Sequence, residues 1–215
     1  MTVRIGLLGA GRIGKAHAKA LSAVEGAVLV AVADVFAEAA EALAGAHGAR
    51  VNTIDEIAAA DDIDAVVICT PTDTHADLIE QFARVGKAVF CEKPIDLSVE
   101  RGKACLQTVE ELGATLMIGF NRRFDPHFKA VREAIDEGLV GDVEMVHITS
   151  RDPGPPPGTY IQVSGGIFRD MTIHDFDMAR FLLGEEVSTV YATGSVLVDP
   201  EIGKLGDYDS ATVVL

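Results

Sequence analysis

The chain has 215 residues, 48% of them apolar, enough to bury one full hydrophobic core and part of a second. Its formal charge of -15, from 33 acidic against 18 basic residues, leaves no basic stripe to neutralise phosphates, so neither nucleic acid nor an anionic membrane is expected as a partner. No apolar run reaches the length of a membrane span, and the first strand begins so soon after Met1 that no signal peptide is expected. Cys69, Cys91 and Cys105 are odd in number, lack C-x-x-C spacing and fall in apolar patterns, which reads as buried thiols in a reducing, cytoplasmic setting.

The first elements carry the clearest signal. Val3 to Leu8 reads as a buried strand, GAGRIG as a glycine turn, about Arg12 to Val24 as a helix, and Val28 to Ala33 as a second strand that ends on Asp34. This is the order a dinucleotide-binding βαβ unit requires. Gly9 turns the chain off the strand, Gly11 presents no Cβ to an approaching pyrophosphate, and Gly14 lets the helix pack closely on the sheet. Arg12 and Ile13 then open a helix whose unpaired N–H groups and positive dipole end point at that pyrophosphate. Asp34, twenty residues beyond Gly14, is spaced to accept hydrogen bonds from an adenosine ribose. A 2′-phosphate would meet a like charge there, and Val35 and Phe36 supply no compensating arginine, so NAD is expected rather than NADP.

Strand and helix alternation continues with a helix over Phe36 to His47, a short strand over Ala49 to Thr53, a helical connection over Ile54 to Ala60 and a buried strand over Asp64 to Thr70. Proline stops that strand at Thr70-Pro71, at the carboxyl edge where open α/β sheets bind ligands. Thr70, Pro71 and His75, near the start of the helix Ala76 to Val85, are expected to line the cofactor cleft. The strand Ala88 to Cys91 runs directly into Glu92-Lys93-Pro94, which directs a lysine into the same cleft on a stiff backbone. A capped helix follows over Ser98 to Leu112, and Thr115 to Gly119 reads as the sixth strand. Beyond it FNRRFD carries Asn121 and Arg123 as candidate substrate contacts, and Pro126 opens a helix that Gly138 ends. The domain boundary is expected near Asn121, giving a nucleotide domain over 1–120 and a second domain over 121–215.

In the second domain Asp142 to Thr149 reads as a half-buried strand, and RDPGPPPG as a rigid loop with Arg151 and Asp152 at its base. From Asp170 onward a helix apolar round most of its circumference is expected, and hence buried. Asp170, His174 and Asp177 form one polar stripe on it. A carboxylate beside an imidazole fixes its tautomer and stabilises its protonated form. A metal is not expected, since no second histidine or cysteine lies at ligand spacing nearby.

Three separated segments, GAGRIG with Asp34, Glu92-Lys93-Pro94 and SGGIFRDMTIHDFDMARF, together resemble the Gfo/Idh/MocA oxidoreductases, the last looking most like the inositol dehydrogenase branch. The resemblance covers nearly the whole chain. It implies a doubly wound parallel Rossmann sheet followed by an α+β domain with a mixed sheet. It also implies a homo-oligomer, dimer or tetramer, and a small polyol as substrate. The family's lysine, aspartate and histidine carry over to Lys93, Asp170 and His174. Its NAD-binding positions carry over to Gly9, Gly11, Gly14, Asp34, the Thr70-Pro71 edge and His75, with Glu92 and Lys93 beside them. Many members have glycine where this chain has Thr172, a departure that matches the inositol branch. Members also continue well past the point where Tyr208 to Leu215 stops in a strand-like pattern, so a truncated second domain is expected.

The implied reaction is oxidation of a ring secondary alcohol, such as myo-inositol to 2-keto-myo-inositol, with hydride passing to NAD; scyllo-inositol or a glucose-type sugar would use the same groups. A non-catalytic NAD-binding protein would not need Lys93, Asp170 and His174 together. One base must take the hydroxyl proton. Lysine, starting near pKa ~10.4, needs a drop of roughly three units, about 4 kcal/mol, to act near neutrality, whereas histidine needs almost none. His174 is therefore expected as base, Asp170 as its orienting partner and Lys93 as an electrostatic group on the reacting oxygen. A positive nicotinamide beside Lys93 would reverse the first and last roles. Arg123 and Asp152 are expected to touch substrate.

Overall fold

The first strand, β1 (Val3–Leu8), sends Leu7 to one face of a sheet and Leu8 to the other, and helices cover both faces. The structure is a computed structural model that describes residues 2–215; the chain forms two units, one up to Gly119 and one over Phe120–Leu215. In the first unit α1 (Arg12–Leu21), β2 (Ala27–Ala33), α2 (Ala37–His47), β3 (Arg50–Val51), α3 (Ile54–Ala59) and β4 (Ala65–Ile68) alternate. They are followed by α4 (His75–Arg84), β5 (Ala88–Cys91), α5 (Val99–Glu111) and β6 (Leu116–Ile118). The six strands are all parallel, in the order β3-β2-β1-β4-β5-β6. Leu7 packs with Ala18, Val32 and Leu43 beneath α1 and α2. Leu8 packs with Ile57, Ile68, Ile79, Phe82 and Cys105 beneath α3, α4 and α5. Strands buried on both faces explain why VRIGLL and AVVI read as apolar runs without alternation.

The chain runs outward from β1 to β3, then returns to lay β4 on β1's other side. That reversal opens a crevice at the carboxyl ends of β1 and β4, the binding position of doubly wound sheets. Local chemistry trims the predicted elements. β3 is two residues long because Thr53 does not extend it: the Thr53 hydroxyl accepts from the Glu56 N–H while Glu56 accepts from the Thr53 N–H, a capping box that starts α3. Lys87 is buried, and its Nζ donates to the carbonyls of Ala60 and Ile63 at 2.6 and 2.8 Å, which satisfies both the charge and the end of α3. No helix among the described residues is long and apolar enough to cross a membrane.

The second unit contains α6 (Pro126–Asp136), α7 (Gly158–Ser164), α8 (Gly166–Asp170), α9 (Ile173–Leu183), β7 (Tyr191–Ser195), α10 (Pro200–Lys204) and β8 (Ser210–Val214). Asp125 caps α6 by accepting from the His127 N–H, with Pro126 in the first turn. Arg132 of α6 donates to the Phe181 and Leu182 carbonyls at the end of α9, joining the two helices. β7 and β8 pair antiparallel, from Tyr191 opposite Val214 to Ser195 opposite Ser210.

Two expectations for this unit are corrected. Residues 142–149 form no strand: alternation marks which side chains seek cover, but a strand also needs a ladder partner, and none of the described residues pairs with this segment. It runs instead along a cavity of ≈ 670 Å³, lined by α6 residues Val131 and Ile135 and by Met178 and Leu182. The helix expected to be buried from Asp170 onward is broken in two, and on α9 only Asp177, Met178 and Leu182 are buried.

Asp209 holds the turn between β7 and β8. Its carboxylate accepts from the backbone N–H groups of Leu197, Val198 and Asp199 and from the Ser210 hydroxyl, which together bring its pKa down to about 2. A folded pKa below the unfolded value of ~3.9 stabilises the fold above that value and ceases to do so as pH falls towards 2. Thermal melts across that acid window are expected to lose this contribution in the parent chain, and Asp209→Asn is expected to flatten the dependence; identical acid profiles would show that the turn does not depend on the carboxylate.

Candidate active site

The cofactor edge begins where β1 ends. Gly9 has φ +94°, and a Cβ on it would sit 2.6 Å from the Cys69 carbonyl oxygen. A Cβ on Gly14 would sit 1.9 Å from the Gly9 carbonyl oxygen, so α1 can cross the strand end only with glycine there. Gly11 caps α1 without a side-chain bond, and nothing lies within 4 Å of where its Cβ would be. Arg12, exposed, and Ile13, half-buried, form the first turn. The result is an open surface of backbone N–H groups at a helix N-terminus, the arrangement that receives a pyrophosphate.

Asp34, just past β2, ties this turn to the neighbouring strand. Its Oδ2 accepts from the Ala10 N–H at 2.5 Å and its Oδ1 from the Phe36 N–H at 2.8 Å. Each oxygen has a further lone pair, so the carboxylate keeps acceptor capacity for hydroxyl groups. Asp34 lines a cavity of ≈ 420 Å³ with Val35, Asn52, Thr53 and Ile54. These residues fit the adenosine half of NAD: an acid for the ribose, apolar surface for the base, and no cation for a 2′-phosphate.

Across the switch, β4 leads to half-buried Thr70 and exposed Pro71, where Thr70 Oγ1 pairs with Thr74 Oγ1 at 2.6 Å. His75 is corrected from a cleft-lining residue to one beneath the edge. It is only 2% exposed, with Nε2 2.8 Å from the Thr70 carbonyl oxygen and Nδ1 2.7 Å from that of Pro94. The Glu92 carboxylate is likewise engaged by protein, 2.7 Å from His17 Nε2 of α1. Half-buried Lys93 lies between Glu92 and Pro94 at the end of β5. Burial pushes the Cys69 thiol up to about 12 and that of Cys105 to about 11, with Cys91 driven further, which favours the protonated thiol over the nucleophilic thiolate.

In the second unit Asp170 ends α8 and His174 lies in the first turn of α9, so the single helix expected there is interrupted between them. The break is at Met171 and Thr172. The Thr172 backbone N–H bonds to the Ile167 carbonyl, five residues back rather than four, and its hydroxyl bonds to the same oxygen at 2.7 Å. Met171 and Thr172 keep right-handed helical dihedrals across the break. Tyr160 donates to Asp170 Oδ1 at 2.8 Å, and the His174 ring meets Phe120 edge-on at 6.4 Å.

Asp177, the third member of the expected stripe, is 6% exposed and forms a bidentate pair with Arg123, whose guanidinium also lies 5.3 Å from the Phe181 ring centre. Arg122 and Ser150 both donate to Asp175. Arg123 is thereby occupied within the fold, while Asn121 and Asp152 are exposed. Sequence reasoning missed His17, Tyr160 and Asp207, the last of which accepts the Ile167 N–H at the start of α8. Only His17 left a signal: it follows Gly14 by three residues, on the helix face that meets the sheet.

A parallel sheet in this strand order, with a glycine turn and a ribose-ready acid at its switch point, defines a nucleotide-binding protein of the Rossmann class. The chain belongs to the Gfo/Idh/MocA family: the model of the oxidoreductase family with an NAD-binding Rossmann fold matches residues 3–120, and the family's C-terminal domain matches residues 128–215. It is 72% identical over 215 residues to inositol 2-dehydrogenase of Rhizobium meliloti, covering 100% of this chain and 65% of the relative. Among solved structures it is similar to a myo-inositol dehydrogenase from Corynebacterium glutamicum, with 48% identity, a TM-score of 0.94, and coverage of 99% of this chain and 64% of that one. It is also similar to scyllo-inositol dehydrogenase from Lactobacillus casei with bound NAD(H) and scyllo-inositol, with 29% identity, a TM-score of 0.84, and coverage of 99% and 65%. The chain thus spans a little under two thirds of the length of these relatives.

Arg123→Ala leaves the buried Asp177 carboxylate without its fork, and a loss of about 3 kcal/mol in denaturant unfolding is expected. Unchanged stability with a raised KM for substrate would return Arg123 to the substrate side.

Proposed function

We propose that the protein is an NAD-dependent dehydrogenase that oxidises a ring secondary alcohol, with myo-inositol, giving 2-keto-myo-inositol, as its substrate. The 72% identity to inositol 2-dehydrogenase along the whole chain carries this reading. Lys93, Asp170 and His174, the three residue types the chemistry needs, support it. NAD binds at Gly9, Gly11, Arg12, Ile13, Gly14, Asp34, Thr70 and Pro71; when bound it supplies an acceptor for the hydride that leaves the alcohol carbon.

The chain's own groups manage the proton and the charge. His174 takes the hydroxyl proton as the carbon–oxygen single bond becomes a carbonyl, because an imidazole works near neutrality without a large shift. Asp170 orients that ring and stabilises its protonated form. Lys93 donates to the reacting oxygen and stabilises the negative charge that develops as the proton departs. Asn121 and Asp152 contact the polyol hydroxyls. Homo-oligomerisation accompanies this reading and is testable by light scattering.

A second reading has the same chemistry acting on scyllo-inositol, favoured by the likeness to the Lactobacillus casei enzyme. NADH formation with a panel of myo-inositol, scyllo-inositol and glucose, run with NAD and with NADP, separates these. Turnover fastest with myo-inositol and NAD is expected. Preference for scyllo-inositol would move the assignment, and NAD-dependent thermal protection without turnover would indicate a nucleotide-binding protein that lacks the activity. His174→Ala is expected to lower kcat about 10³-fold and Lys93→Ala about 10²-fold; the reverse ranking would make Lys93 the base.

A further inference from the structure

Lys93 is flanked by two residues that other elements hold. On its amino side Glu92 is bonded at 2.7 Å by Nε2 of His17. The His17 ring also packs edge-on against Phe90 of β5, with centres 5.1 Å apart. The Glu92 carboxylate lies against Gly119, where a Cβ would meet its Oε1 at 3.2 Å. On the carboxyl side the Pro94 carbonyl oxygen lies 2.7 Å from Nδ1 of His75, whose other nitrogen faces the Thr70 carbonyl.

We propose that His17 and His75 are positioning residues for Lys93, pinning the residue on each side of it. His17 belongs to α1, the helix that starts at the glycine turn, and His75 belongs to α4 just after the Thr70-Pro71 edge. The lysine is therefore built into the same frame that cradles the nucleotide. A charged group on a four-carbon stem stabilises a developing charge well only if its backbone anchor does not wander, and a displacement of about 1 Å costs on the order of 10²-fold in rate. Neither histidine needs to touch cofactor or substrate to have this effect. The inference rests on the role given to Lys93 under Proposed function.

Substitutions at His17 test it, since that side chain is half-buried and its loss leaves the two sheet cores intact. His17→Asn carries an amide too short to reach Glu92, whereas His17→Gln carries the same amide with the necessary reach. His17→Asn is expected to lower kcat at least tenfold while KM for myo-inositol and the calorimetric Kd for NAD change less than about twofold, and His17→Gln is expected to recover most of the loss. Amide hydrogen exchange should quicken over residues 92–95 in His17→Asn and return towards the parent rate in His17→Gln. His75→Phe, which keeps a ring but removes both contacts, should quicken the same amides.

Equal kcat and equal exchange in all variants would overturn the inference, as would a loss in NAD affinity that accounts for the whole loss in kcat/KM. Lys93→Met separates the two readings. If it retains turnover, the role assigned to Lys93 fails; if it is inactive while His17→Asn behaves as the parent in rate and exchange, only the positioning role fails.

Discussion

The structure depends first on one close approach: the Gly9 carbonyl oxygen lies where a side chain at residue 14 would begin, 1.9 Å from an ideal Cβ. Only glycine permits α1 to start that near the end of β1, and the left-handed turn at Gly9 permits the change of direction. Everything at the edge inherits this geometry. The helix points its free N–H groups outward over the switch point, Asp34 reaches the same turn through the Ala10 N–H, and His17 lies one turn further along, within reach of Glu92. A helix displaced by the width of a methyl group would keep its sheet contacts in part but lose the register of these polar ones, which tolerate only a few tenths of an ångström.

The nucleotide unit was legible because its signals are local. Strands buried on both faces, glycines at fixed offsets and a proline at a strand end act within a few residues, and the chain order of elements matches what they imply. Its errors lie at element ends, where side chains compete with the ladder: Thr53 reads as the last residue of a strand but its hydroxyl captures the Glu56 N–H and starts a helix. His75 was legible as important and misread in direction. Helix-start position says that a side chain is near the edge, but not whether it faces the cleft or the carbonyls below.

The second unit was less legible because its determinants are long-range. Residues 142–149 have the alternation of a strand, yet a strand is a property of two segments and alternation reports on one. The polar stripe on Asp170, His174 and Asp177 assumed one continuous helix, and the helix is interrupted at Met171 and Thr172, where the Thr172 N–H bonds five residues back. Asp177 pairs with Arg123, 54 residues away, so its carboxylate serves the packing of α9 against the 3₁₀ turn over Asn121–Phe124. Arg122 does the same with Asp175. Two adjacent arginines facing two alternate aspartates form a lock, and nothing in either segment alone distinguishes that from a substrate-binding set.

The residues to which we assign chemistry share a structural property. Lys93 lies two residues past the end of β5, Asp170 is the last residue of α8, and His174 stands in the first turn of α9. Within a helix or strand the backbone groups are consumed by the ladder and the side chains by packing, so reactive groups gain freedom of direction only where regular structure stops. Such ends are also where a chain is least constrained. The structure meets this with short polar contacts that run from side chain to neighbour: His17 to Glu92, His75 to Pro94, Tyr160 to Asp170, and Asp207 to the start of α8. Each joins a segment end to a different element, and each supplies the rigidity that the missing ladder bonds would have given.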